Sequence, residues 1–308
     1  MATNDVYYRR QLSLYTFNIH NLGTNDVFLY TYDESTGKKG SDDVCSMLYD
    51  FFTTKLSADV QRIDLFCDNC AGQNKNYTML RFVYALVHFI KRFQSISMHF
   101  PLRGHSYMEC DKDMAVINQK TPCEVPKDWY KVFKEARQNP TPYHVEEVQQ
   151  HQFKAISEGL HPFFENSCPI STRSIRELKV EMGFSNALMY RDNWNGQYEV
   201  TGMLKKRRKK TAPPVPVNLT FKMAYKHRLP IATAKFKDLQ HLKKFCKVEN
   251  QDLFDAIPQH KKVAAVPEPV HDEIDDFGRE AQVGGTHGQN RRHFELVFFS
   301  VRVGFLII

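Results

Sequence analysis

The sequence predicts an α/β fold: a mixed sheet with helices packed on it. Two β-rich runs come first, joined by turn chemistry. Amphipathic helices and short apolar strands then alternate. The chain is 42% hydrophobic and 13% aromatic, enough apolar side chain to fill a core between such layers.

Tyr7 to His20 alternates and is rich in β-formers (Leu12, Leu14, Tyr15, Phe17, Ile19), which makes it a strand. Val27 to Tyr32 is a second strand, and Asn21 to Asp26 between them is turn chemistry, so the pair predicts an antiparallel hairpin. Asp33 to Ser41 is polar, with Gly37 and Gly40. Ser41-Asp42-Asp43 then opens a helix to about Lys55, whose stripe is Val44, Met47, Leu48, Phe51 and Phe52. Gln61 to Cys67 is a short strand and Asp68 to Asn74 a loop. Tyr77 to Phe93 is a helix, Ser95 to Phe100 a strand, and Tyr107 to Ile117 a helix after the break at Pro101 to Gly104. A hairpin followed by strand–helix–strand units implies a mixed sheet.

After Ile117 the expectation is a mostly helical extension, residues 121–258. Lys127 to Arg137, Val145 to Phe164 and Leu239 to Phe254 carry its helical signal. Ile175 to Leu178 and Ala187 to Tyr190 are short apolar pieces in polar surroundings. The basic run Lys205, Lys206, Arg207, Arg208, Lys209 and Lys210, followed by Pro213-Pro214-Val215-Pro216, marks an exposed loop over 204–216. Residues 259–308 lose periodicity and end in an apolar run from Leu296. That run suits either an added edge strand or a spurious tail outside the fold, and the second is expected here.

Formal charge is +7 and pI about 8.9, compatible with a nucleic-acid partner and with many proteins that bind none. The start has no apolar signal region, and no run approaches the roughly 18 apolar residues that span a bilayer. An intracellular chain with no membrane partner is expected, its seven scattered cysteines mostly free thiols.

Asp68 follows the end of a central strand, where open α/β sheets bind ligands. Asn69, Gln73, Asn74 and Asn76 add amides, Gly72 permits a close backbone approach, and Lys75 can pair with a phosphate or a carboxylate. The same residues also suit an ordinary Asx-turn. Gly104-His105-Ser106 to Asp113 again follows a strand and opens a helix, where Glu109, Asp111 and Asp113 suit the helix dipole. The sharper expectation is that Asp111 meets Asp68 across adjacent strand ends to share Mg²⁺, with His105 as orienting or acid/base group. Cys67-x-x-Cys70 has no second pair at zinc spacing. Lys205 to Lys210 fits nuclear import or phosphate contact, and equally a solvated loop.

Tyr7-Tyr8-Arg9-Arg10-Gln11-Leu12, Tyr15 to His20, the loop Asp68 to Asn76, and Gly104-His105-Ser106 through Asp111 together resemble a family of transposon-derived proteins that share a domain of unknown function. The resemblance runs from about Val6 to Pro258. It implies an RNase H-like core of transposase or integrase type over residues 6–120, with Asp68 and Asp111 in two of three acidic positions. The third Asp would lie on a leading strand before Tyr7, which is missing here. The expectation is therefore a nuclear, transposase-derived protein without catalytic activity that keeps the RNase H-like fold and some nucleic-acid or divalent-metal binding, with DNA as its nucleic-acid partner. Lys75 and the run 205–210 would contact nucleic acid. An active Mg²⁺-dependent nuclease or strand-transferase at full length, and a protein-interaction scaffold without a nucleic-acid role, stand as alternatives.

Overall fold

The computed structural model describes residues 8–102, 108–117, 123–206, 216, 218–260 and 299–307. In chain order it contains β1 (Leu12–Asn21), β2 (Asp26–Asp33), α1 (Ser41–Asp50) running into a π-helical turn (Phe51–Lys55), β3 (Arg62–Cys67), α2 (Tyr77–His88) and β4 (Ser95–His99). These are followed by α3 (Glu109–Ile117), α4 (Pro126–Ala136), β5 (His144–Glu147), α5 (Ile156–Leu160), β6 (Glu177–Glu181), β7 (Leu188–Arg191), β8 (Glu199–Thr201), α6 (Thr233–Leu242), α7 (Val248–Asp255) and β9 (Phe299–Ile307).

The fold is mixed α/β. The strands order as β5-β2-β1-β9-β3-β4-β6-β7-β8. β1 and β2 form the expected antiparallel hairpin, in register from Leu14↔Asp33 to Asn21↔Asp26. β3 and β4 are parallel, Arg62↔Ser95 to Phe66↔His99, and α2 makes the crossover between them. β9 sits in the middle. It runs parallel to β1 over Leu12↔Phe299 to His20↔Ile307, but meets β3 antiparallel only at Phe66↔Ile307 and Cys67↔Leu306. β9 thus joins two mixed sheets, one of β5, β2 and β1, the other of β3, β4, β6, β7 and β8.

The two-residue period of the strands sorts their side chains into two layers. Phe17 and Ile19 of β1, Tyr30 and Tyr32 of β2, Ile63, Leu65 and Cys67 of β3, and Ile96 and Met98 of β4 face α1, α2 and α5 in one core. Leu12 and Leu14, with Val27 and Leu29, face the other way. They pack with Met114 and Ile117 of α3, Trp129 and Phe133 of α4, Leu239 and Leu242 of α6, and Phe254 of α7.

The extension after Ile117 is not mostly helical. The stretch Val145 to Phe164, expected as helix, holds β5, a 3₁₀ turn (Gln150–Gln152) and the five-residue α5. β5 pairs with the outer edge of β2, so backbone pairing outweighs helical propensity there. The two short apolar pieces are β6 and β7, extending the sheet beyond β4, with Leu178, Val180 and Leu188 in the first core. The last helical segment is broken into α6 and α7 by a 3₁₀ turn at Lys243–Phe245. Residues 299–307, expected outside the fold, form β9.

Candidate functional site

The loop after β3 is closed by its own polar groups. The N–H groups of Gln73, Asn74 and Lys75 all return to the carbonyl of Cys70, at 3.2, 2.9 and 3.0 Å. Asp68 Oδ1 accepts from the Cys70 N–H at 3.2 Å and from the Asn74 amide at 2.6 Å, an Asx-turn reinforced by a second side chain. Asn69 donates to the Pro101 carbonyl and accepts from Lys75 Nζ at 2.8 Å. Lys75 Nζ also donates to the Arg173 carbonyl at 3.1 Å and lies 4.9 Å from the centre of the Phe100 ring. Asn76 caps α2 by accepting from the Met79 N–H at 3.0 Å, while its amide donates to Ala71 and Gln73 carbonyls. The Asn74 and Asn76 side chains thus shape the loop and the start of α2, and Asn69 ties the loop to Pro101.

Lys75, expected at a phosphate, is 5% exposed inside this network. Its burial, with the Arg176 charge adding, pulls its ammonium pKa down to about 8. A Cβ at Gly72 would meet no protein atom within 4 Å. Cys67 points into the core, and burial pushes its thiol well above the usual range, which leaves it unreactive.

Phe66, two residues before Asp68, packs on Met108 and Cys110, so the start of α3 lies over the end of β3. The structure therefore brings the Asp68 loop and the Asp111 segment to one end of the sheet. Asp111 Oδ2 accepts from the Met108 N–H at 3.0 Å, a cap on its own helix. The α3 carboxylate that turns into the protein is Asp113, 5% exposed. Its Oδ2 is 2.8 Å from His20 Nδ1 and 3.3 Å from the Asn18 amide. The Tyr143 hydroxyl donates to Oδ1 at 3.4 Å, and Arg137 Nη1 stands 3.8 Å away. Burial first, then the Asp113 charge, pushes the Tyr143 hydroxyl well above its ordinary pKa. Among the described residues, the fully buried Asn18 side-chain oxygen has no hydrogen-bond partner. Nothing in the local sequence marks Asn18, His20 and Asp113 as one cluster. Only its β1 part shows there: Thr16, Asn18 and His20 form a polar row at strand spacing between the apolar Phe17 and Ile19.

A second polar cluster escaped the sequence altogether, because its members come from four separate segments. His99 of β4 is 3.0 Å from Asp64 Oδ1 through Nε2 and 3.8 Å from Glu177 Oε1 through Nδ1. Its ring stacks on Phe66 (centroids 4.7 Å) and Trp194 (6.2 Å). Glu177 also accepts from Arg191 and from the Tyr198 hydroxyl.

Lys205 Nζ donates to the His161 carbonyl at 3.1 Å, and Lys206 is exposed with its N–H on Glu165 Oε1. His105, Arg207, Arg208, Lys209 and Lys210 lie outside the described residues. Among the described residues, no group of three or more His, Cys, Asp and Glu side chains is placed to hold a metal ion. Also among them, no helix is long and apolar enough to cross a membrane.

Residues 17–197, from within β1 through the Asp68 loop and past Trp194, match the family described as Domain of unknown function (DUF7869). The chain belongs to that family. No curated protein and no solved structure matches it. The DUF7869 span contains Asp68, Lys75, Asp111, Asp113, His99, Asp64 and Glu177, and stops before Tyr198, the basic run at Lys205 and α6.

Proposed function

We propose that this chain is a transposase-derived nuclear protein that keeps an RNase H-like fold and binds DNA without cleaving it. The observation that carries the reading is the strand order around β1 and β3. An antiparallel hairpin is followed by a parallel strand–helix–strand unit, and a strand position lies between them. RNase H-like sheets fill that position with their leading strand, antiparallel to its hairpin neighbour. Here β9 fills it, runs parallel to β1, and contains no Asp or Glu. The leading carboxylate therefore has no counterpart in that position, while Asp68 and Asp111 are each hydrogen-bonded within their own segments. These donors do not fit a two-metal centre, which needs several carboxylate oxygens converging on the ions. The net charge of +7 and the basic run from Lys205 support a polyanionic partner and nuclear import.

The test is titration of the full chain into a labelled mixed-sequence DNA duplex, followed by fluorescence anisotropy over a range of salt, with Mg²⁺ or with EDTA. Salt-dependent binding that is the same in both, with no strand scission, is expected. Mg²⁺-dependent cleavage that disappears in Asp68→Asn would overturn the non-catalytic reading. Absent or salt-insensitive binding would overturn the DNA reading and leave an interaction scaffold.

A further inference from the structure

We infer that the outer face of α6 and the turn that follows it, Lys237, His241, Lys244 and Lys247, is the surface that tracks the DNA backbone. The inference rests on the DNA-binding reading above and names its surface. Lys237, His241 and Lys244 recur at helical spacing and so share a face. Lys237 lies on α6, Lys244 in the 3₁₀ turn Lys243–Phe245 that follows it, and Lys247 immediately before α7. Lys237, Lys244 and Lys247 are exposed, while Leu239, Leu242 and Cys246 on the inner side are buried in the second core. The row is thus held on a packed element and aimed outward.

Its charge is mostly positive, with Glu124 Oε2 accepting from the Lys247 N–H at 3.0 Å and Glu249 following on α7. Between Lys235 and Lys247 the only carboxylate is Asp238. Asp238 is occupied by Arg9 Nη1 at 3.4 Å and Arg10 Nη1 at 2.9 Å, and the two arginines bring more positive charge than they neutralise. Lys235 and Lys243 have their own partners, Glu34 at 2.7 Å and Asp255 at 2.6 Å, which fix the helix to the body of the protein. Lys237, Lys244 and Lys247 are exposed, with Lys244 Nζ 4.9 Å from the centre of the Phe245 ring. α4 has a similar row, Lys127, Lys131 and Lys134, but Glu135 stands 4.0 Å from Lys131 and dilutes it. Lysines on a fixed helix are mobile point charges that suit phosphates without reading bases. The partner is therefore the phosphodiester backbone, contacted without sequence preference.

The experiment compares the salt dependence of DNA-duplex binding in the full chain and in Lys237→Ala/Lys244→Ala/Lys247→Ala. A matched control, Lys55→Ala/Lys222→Ala/Lys226→Ala, removes the same charge from exposed positions around α1 and α5. Each phosphate-contacting lysine lost lowers the slope of log K against log salt by about 1. The α6 triple is expected to lose about 3, the control essentially nothing, and arginine at the three α6 positions to retain the slope. Melting curves matching the wild type show that the variants are folded. Wild-type binding with an α6 slope no lower than the control's overturns the surface and spares the DNA reading. A wild-type chain that binds no DNA overturns both.

Discussion

The loop after β3 and the cluster beneath α3 are both dense in carboxylates, amides and cationic or ring nitrogens, yet they spend them over different distances. In the loop, Asp68 reaches Asn74 and Asn69 reaches Lys75, a few residues along the chain, and Asn69 to Pro101 and Lys75 to Arg173 tie it to distant segments. In the cluster, His20 of β1 meets Asp113 of α3 and Tyr143 joins from the segment after α4, contacts that fix which strand lies under which helix. A local network shapes a turn and loses little beyond it when broken. A long-range buried network holds layers together, and removing one member leaves the others buried without a partner.

The sharpest test of that difference is Asp113→Ala. It leaves His20 buried without its carboxylate, while Arg137 keeps the Thr141 and Asn25 carbonyls, and should cost about 3–5 kcal/mol in urea unfolding. A loss no larger than that of a loop variant would erase the distinction.

Lys75, the long-range arm of the loop, comes next. Its pKa falls from 10.5 in the unfolded chain to about 8 in the fold, so the folded protein sheds that proton first. Below pH ~8 the buried charge is a penalty, and between ~8 and ~10.5 stability should rise, by on the order of 3 kcal/mol. The rise is read as the difference between wild type and Lys75→Met in urea melts at pH 7 and pH 10. Parallel pH curves for the two would show that the ammonium is solvated.

Asn76→Ala should have the smallest effect, about 1 kcal/mol, the usual loss for a helix cap. Losses well beyond ~2 kcal/mol would mean the loop's bonds act cooperatively with the sheet.

Much of the fold from β1 to α3 was legible, because each element there has enough residues to show its period. Val44, Met47, Leu48, Phe51 and Phe52 all reach the first core as their spacing predicts. Between Ile117 and α6 the strands have three to five residues, too short for a period of two to separate from helix or loop. They are strands because an edge of the sheet was available, a fact that no local window contains. At the site, Asp68 and Asp111 were placed at one end of the sheet, and Phe66 against Met108 and Cys110 brings their segments there. The carboxylate that turns inward is Asp113 because α3 presents it, and Cys110 three residues earlier, toward β1. A choice between residues two apart on a helix needs the packing partner to be known.

The position of β9 bears on how the molecule is made. Leu12 pairs with Phe299, so the middle of the sheet is assembled from opposite ends of the sequence. During synthesis, β1 with β2, and β3 with β4, have all their residues outside the ribosome long before Phe299 emerges. The nascent chain must carry two half-sheets with facing open edges through that interval, the stage at which strand edges recruit wrong partners. Pairing at such sequence separation should be the slow step of folding.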